Sequence, residues 1–226
     1  MSITIKRDVI LLDLDGTIID SYHSVLSAIE YTLTNFGIPI PNELYHQKEV
    51  GQLLSIVERK LPSSISLQTF KSEYDSFLLQ HPLGGINVRQ EMAPFINSLK
   101  ENGYKLIVLT NKRQAIADII CSSLFPEGTF LSVIGRKTSQ PLKPSATIIT
   151  ELLKLGICNS DIRCLIGDSD VDRQTAALLN SEFWNINSKH PIQEMLLRET
   201  IAQNSLSDSR LDKCCDEMDR LIDIKA

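Results

Sequence analysis

Nothing in the sequence approaches the roughly 20 consecutive apolar residues that span a bilayer, so no membrane-spanning helix is expected. The first apolar run, Val9–Leu12, stops at Asp13 and is too brief for the core of a secretory signal, so none is expected either. Five cysteines are an odd number, without Cys-x-x-Cys spacing or a zinc-like pattern. Reduced thiols in a cytoplasmic protein are the simple expectation. His46, His81 and His190 show no ligand spacing. Basic residues are in deficit, 23 against 28 acidic for a net charge of −5, which argues against nucleic acid or an anionic membrane as the main partner. Internal repeats and low-complexity tracts are absent too.

What is present is an ordinary globular composition, 42% hydrophobic and 23% charged. A length of 226 residues exceeds one minimal domain and falls short of two full ones. A core domain carrying a smaller insertion fits best.

The chain is organised around residues 9–17. Val9-Ile10-Leu11-Leu12 reads as a short strand buried on both faces. It runs into Asp13 and Asp15, one residue apart, and then Gly16-Thr17. Gly16 marks a turn, so both carboxylates can converge beyond the carboxyl end of the strand, where open α/β sheets keep their ligands. Two carboxylates packed together repel unless a cation or a proton sits between them. An isolated Asp-x-Asp-Gly fits a plain strand-ending turn equally well. The rest of the chain has to decide.

Residues 21–36, 42–60 and 66–80 carry apolar stripes at helical spacing, separated by Gly37-Ile38-Pro39 and by Pro62 with Ser63-Ser64. No strand pattern occurs between about 21 and 85, so this insert is expected to be all helical and to act as a cap. Beyond it the pattern alternates. Helices are expected at 89–102, 112–124, 145–155 and 170–179, and strands at 104–110, 131–134, 162–166 and 183–186. Such alternation predicts a parallel sheet covered by helices, with right-handed crossovers.

Polar groups stand at the carboxyl ends of these strands, and in a parallel sheet all those ends share one edge. They are Asp13 and Asp15; Thr110-Asn111-Lys112; and Gly167-Asp168-Ser169-Asp170-Val171-Asp172. Lys143-Pro144 lies in a loop before a helix. Phosphoryl transfer needs such a set. One carboxylate attacks phosphorus to form an aspartyl phosphate, and a second protonates the leaving alkoxide and then activates water. Magnesium held by carboxylates screens the charges. A lysine and hydroxyl or N–H donors stabilise the non-bridging oxygens.

Taken in order, Asp-Leu-Asp-Gly-Thr, Leu-Thr-Asn-Lys, Lys143-Pro144 and Gly-Asp-Ser-Asp-Val-Asp resemble the four motifs of the haloacid dehalogenase superfamily. Asp-Gly-Thr-Ile-Ile-Asp-Ser extends the first match in the style of its phosphoglycolate phosphatase-like branch. The resemblance covers roughly residues 8–187. It implies an α/β fold, a parallel Rossmann-like sheet with helices on both faces, plus an inserted all-helical cap domain. The expected division is 1–20 and 86–190 as catalytic core, 21–85 as cap and 191–226 as a C-terminal helical extension.

The resemblance further implies Asp13 as nucleophile and Asp15 as acid/base, the latter touching Mg2+ through its backbone carbonyl. Thr110 and the Asn111 backbone would bind the phosphoryl group, and Lys143 would neutralise charge between nucleophile and phosphate. Asp13 and Asp168 would also be metal ligands, with Asp172 supporting the metal waters or Lys143. The acid at Asp15 disfavours a dehalogenase, since the dehalogenases of the superfamily lack it. The implied function is a magnesium-dependent phosphatase of small phosphate monoesters, a monomer or homodimer. The alternatives are a sugar-phosphate mutase of the same superfamily and a non-catalytic partner-binding protein on this fold.

The remaining polar residues have plainer readings. Asp170 is expected to start a helix, Ser169 to cap it, His23 to face solvent or pack, and Arg136 and Lys137 to lie in a solvated loop. Asn180 replaces the usual Ala-Gly helix end and can take the left-handed cap conformation. In the tail, Leu211, Cys214, Cys215, Met218, Leu221 and Ile222 recur at helical spacing, which predicts an amphipathic helix docked on its own chain, with dimer formation as the second choice.

Overall fold

Four consecutive buried residues, Val9–Leu12, form the first strand, β1. Side chains alternate between the faces of a sheet, so burial of all four requires cover on both sides. A computed structural model describes residues 7–47, 49–137 and 141–187 of the protein. Two units, Met1–Ile186 and Asn187–Ala226, divide the chain. All the secondary structure among the described residues lies in the first.

After β1 come β2 (Ile19–Asp20) and four helices, α1 (Tyr22–Asn35), α2 (Glu43–His46), α3 (Val50–Lys60) and α4 (Leu67–Gln80). The chain continues through β3 (Asn87–Val88), α5 (Met92–Glu101), β4 (Lys105–Arg113), α6 (Gln114–Leu124), β5 (Ser132–Arg136) and α7 (Thr147–Lys154). It ends with β6 (Ile162–Gly167), α8 (Asp170–Leu178) and β7 (Glu182–Asn185).

The expected fold class holds. Five parallel strands pair in the order β5-β4-β1-β6-β7. Val9 and Leu11 join Ile148 and Leu152 of α7 and Ala176 of α8 in one core cluster. Ile10 and Leu12 point the other way and are equally buried. Helix α6 packs on β4 and β5 yet shares no residue with that cluster, so it covers the opposite face. After β1 the order runs outward through β4 to β5, then returns to β6 on the other side of β1. The reversal makes the carboxyl ends of β1 and β6 the switch point where such sheets open a crevice.

The insert between β2 and β3 is helical throughout, with no strand among its described residues. It is built by the expected stripes: Val25, Leu26, Ile29 and Leu33 of α1 and Phe70, Tyr74 and Leu78 of α4 are buried. Gly37, at φ +66°, ends the first run, with Ile38 N–H donating to Leu33 O at 2.9 Å. Ser66 caps α4 by accepting from Thr69 N–H at 3.0 Å.

Several boundaries differ from the sequence expectation. The helix expected over 42–60 is two, because Gln47 is extended and its side chain accepts from Glu49 N–H at 2.9 Å. The helix expected from 89 begins at Met92, because Asn87–Val88 pairs antiparallel with Ile19–Asp20 and Arg89 N–H continues the pairing to Ile18 O. The helix expected from 112 begins at Gln114, because β4 runs on to Arg113, which pairs with Arg136. Arg136 therefore ends a strand rather than lying in a solvated loop. Lys137 is exposed and pairs with Glu151. Asn180 takes the left-handed conformation, at φ 52°. The tail stripe from Leu211 to Ile222 lies outside the described residues.

The core should be intolerant of truncation at its centre. Leu11→Ala is expected to cost ~2–5 kcal/mol of unfolding free energy in a urea titration. Leu155→Ala, at a position 42% exposed, should change it by about 0.5 kcal/mol or less.

Candidate active site

Asp13 directly follows β1, and its N–H still donates to Ile166 O of β6 at 2.9 Å. Its carboxylate is thus fixed between two strands, at the switch point, with the residue 7% exposed. The chain then turns tightly. Leu14 O accepts from the N–H groups of Thr17, Ile18 and Ile19, and Gly16 N–H donates to Ile19 O at 2.8 Å. Gly16 sits at φ +80°, and a Cβ there would lie 2.3 Å from Asp168 Oδ2. Only glycine fits, on both backbone and steric grounds. The Arg89 guanidinium donates to Gly16 O at 2.6 Å, tying this turn to the segment after β3.

The loop after β6 brings in the second group of acids. Ser169 caps α8, accepting from Asp172 N–H, while Asp172 Oδ2 accepts from Ser169 N–H at 3.2 Å. This reciprocal capping fixes Asp172 as the third helical residue. Asp170 is the first residue of α8, as expected, and is exposed. Gly167 has no room for a Cβ, which would fall 2.5 Å from Asp172.

Lys143 joins the two groups. Its buried ammonium donates to Asp13 Oδ1 and to Asp172 Oδ1, both at 2.6 Å. Its backbone is gripped by Asn111 at the end of β4. Asn111 Oδ1 accepts from Lys143 N–H at 2.7 Å, and Asn111 Nδ2 donates to Lys143 O at 2.9 Å. Next to it, the buried Thr110 hydroxyl accepts from Lys112 N–H at 3.1 Å.

The electrostatics are unbalanced. Asp13, Asp168 and Asp172 each place one carboxylate oxygen within 4.8 Å of the others. Burial pushes the Asp13 carboxyl well above its ordinary range; Lys143 opposes this, and Asp172 and Asp168 reinforce it. Burial would lower the Lys143 ammonium, but Asp13 and Asp172 outweigh it and hold the group charged. Burial, then Asp172, lift Asp168 to about 6. Among the described residues no Lys or Arg forms an ion pair with Asp168. Three carboxylates around a single ammonium, one of them without a cationic partner, make a donor set of hard oxygens that suits a divalent cation.

The structure thus brings Asp13, Lys143, Asp168 and Asp172 together, with Asn111 gripping Lys143. Asp15 is not a member of the cluster of three acids, although its charge also reaches Asp168. The Asp15 carboxylate pairs instead with the buried Lys112 ammonium, at 2.9 and 3.1 Å. Lys112 stands in the second motif, yet the sequence carries no signal of this partner 97 residues away. Arg136 is a second cation placed differently from expectation. It donates to both carboxylate oxygens of Asp75 on α4, at 3.0 and 2.7 Å, and through Nε to Asn111 O at 3.1 Å. Tyr74, next to Asp75, is also buried; burial, Asp15 and Asp75 raise its phenol well above the ordinary range. The insert therefore reaches the edge of the site through Tyr74 and Asp75. His23 faces solvent.

A family model of haloacid dehalogenase-like hydrolases matches residues 10–186. A phosphoglycolate phosphatase of Aquifex aeolicus is 31% identical over 168 residues, 73% of this chain and 77% of the relative. A phosphoglycolate phosphatase of Mesorhizobium japonicum is 25% identical, over 76% of this chain and 78% of its own length. Among solved structures, a haloacid dehalogenase-like hydrolase of Bacteroides fragilis superposes with a TM-score of 0.69 at 21% identity. That match covers 84% of this chain and 93% of the other, and it supports the fold. The matched stretch takes in the sheet from Ile10 onward and all the site residues above, and on it the chain belongs to the haloacid dehalogenase-like hydrolase family.

Proposed function

We propose that this hydrolase cleaves small phosphate monoesters, such as phosphoglycolate or a sugar phosphate, with Mg2+ and through an aspartyl phosphate on Asp13. The observation that carries the reading is the Asp13 carboxylate, held at the switch point 2.6 Å from a buried ammonium. A nucleophile there needs a positive partner, since carboxylate and phosphate both carry negative charge. The relatives from Aquifex aeolicus and Mesorhizobium japonicum support the substrate class.

In this reading Asp13 attacks phosphorus as the bond to the leaving oxygen breaks, and Asp15 gives that oxygen a proton. Asp15 then takes a proton from water, the water oxygen attacks phosphorus, and Asp13 leaves as phosphate departs. Lys112 holds the Asp15 side chain in place between turnovers. The Thr110 hydroxyl, accepting from Lys112 N–H, keeps its own hydrogen to donate to a phosphoryl oxygen. Lys143 neutralises charge on Asp13 and on the incoming phosphate. Asp13, Asp168 and the Asp15 backbone carbonyl are the residues that would hold Mg2+, which lends positive charge to the transferring group. Asp172 serves by aiming Lys143.

The described residues of 21–85 act as the cap, and those of 7–20 and 86–186 as the core. A cap over the cleft excludes water and large substrates. The unpaired thiols of Cys121, Cys158 and Cys164 fit a cytoplasmic setting.

A screen of phosphorylated metabolites with Mg2+ tests the reading, with small phosphates expected to be hydrolysed and folded phosphoproteins spared. Efficient action on a phosphoprotein alone would contradict the cap. Asp13→Asn should lower turnover by at least about a thousandfold and leave no phosphoenzyme in acid-quenched reactions. Asp15→Asn should still form phosphoenzyme from activated esters but lose it slowly. Chelation with EDTA should abolish turnover, and added Mg2+ should restore it.

A further inference from the structure

Asp75 is a charged residue on the buried side of α4, 6% exposed. Its partner, Arg136, comes from the last position of a core strand. A pair of this kind is a poor source of stability, because the desolvation of both charges offsets much of their attraction. Its geometry suggests another role. The guanidinium that holds Asp75 through one terminal nitrogen also donates from Nε to Asn111 O. The Asn111 side chain in turn grips the Lys143 backbone at both its N–H and its carbonyl. The Lys143 ammonium then reaches Asp13 and Asp172. Four successive contacts lead from an insert helix to the candidate nucleophile.

A guanidinium is a rigid planar fork, so its terminal nitrogen and Nε cannot be displaced independently. If α4 moves away, Arg136 loses this counter-charge, and any turn of the guanidinium that follows takes Nε from Asn111 O. Mere adjacency does not establish coupling, but here the rigid group itself joins the two contacts.

We propose that Arg136 is a positioning residue that makes the placement of Lys143 conditional on docking of α4, acting through Asn111. The proposal rests on the reading of Asp13 and Lys143 given above. It assigns the insert a part in assembling the site, beyond covering it.

The test uses the full chain with Mg2+ and p-nitrophenyl phosphate, following kcat, KM and melting temperature. Asp75→Asn, Arg136→Ala and Arg136→Lys are each expected to lower kcat about tenfold, with KM changed less than about threefold. The double variant Asp75→Asn with Arg136→Ala should be no slower than the slower single one. Arg136→Lys is decisive: it keeps a cation for Asp75 but lacks the rigid planar fork that ties that contact to the one with Asn111 O. It should melt as the wild type does and still lose kcat. Should Arg136→Ala fail to fold, Arg136→Lys and Asp75→Asn carry the test. Wild-type kcat in Arg136→Lys would overturn the proposal, since the rigid fork that couples the two contacts would then not be needed. A rise in KM at unchanged kcat would overturn it in favour of substrate binding, and a loss of kcat that tracks melting temperature in favour of a structural role. Lys143→Ala separates the two readings. If it retains full turnover, the assignment of Lys143 falls; if it is inactive while Arg136→Lys is fully active, only the present proposal falls.

Discussion

The Lys143 ammonium between Asp13 and Asp172 is the contact on which the rest of the site depends. A buried lysine is tolerated only with its charge compensated, and here two carboxylates compensate it, one just beyond β1 and one in the first turn of α8. The same cation makes it possible to bury Asp13 beside Asp168 and Asp172. Other features of the fold serve this one. The register of β1 against β6 aims Asp13, the capping of α8 by Ser169 aims Asp172, and the Asn111 amide aims Lys143. Two glycines complete the arrangement by letting the backbone approach the acids where no side chain could fit.

The convergence of Asp13, Lys143, Asp168 and Asp172 was legible because each sits at or near the edge of a recognisable local element. Strand-to-loop transitions show in the hydrophobic pattern, and a parallel sheet delivers their carboxyl ends to one side. Ser169, Asp170 and Asn180 were legible for a similar reason, since helix caps are set by neighbouring residues. The partner of Asp15 was not. Lys112 and Asp15 lie on adjacent strand ends, and which ammonium meets which acid depends on side-chain direction, not on spacing. Arg136 was misread as a solvated loop residue because its partner Asp75 belongs to the insert, 61 residues away, and its burial exists only once α4 is docked. The ribbon of β2 and β3 escaped notice because a two-residue strand is too short to show any alternation.

Asp15 and Asp13 illustrate how environment differentiates two neighbouring groups of the same kind. One is buried between strands, among other acids, with a shared lysine. The other is turned away by a single tight turn and given a lysine of its own. A chemistry that asks one carboxyl group to attack and another to carry a proton needs this separation of surroundings.

The insert leaves the core along β2 and returns along β3, and these are antiparallel neighbours. Facing residues of such strands have Cα atoms about 5 Å apart, so the excursion of more than sixty residues starts and finishes at nearly one point. To the sheet, the whole insert is equivalent to a hairpin turn. Its length and internal packing can therefore drift, or one insert can be exchanged for another, without altering strand order. A scaffold joined in this way can change its insert while the sheet and its strand order are inherited intact.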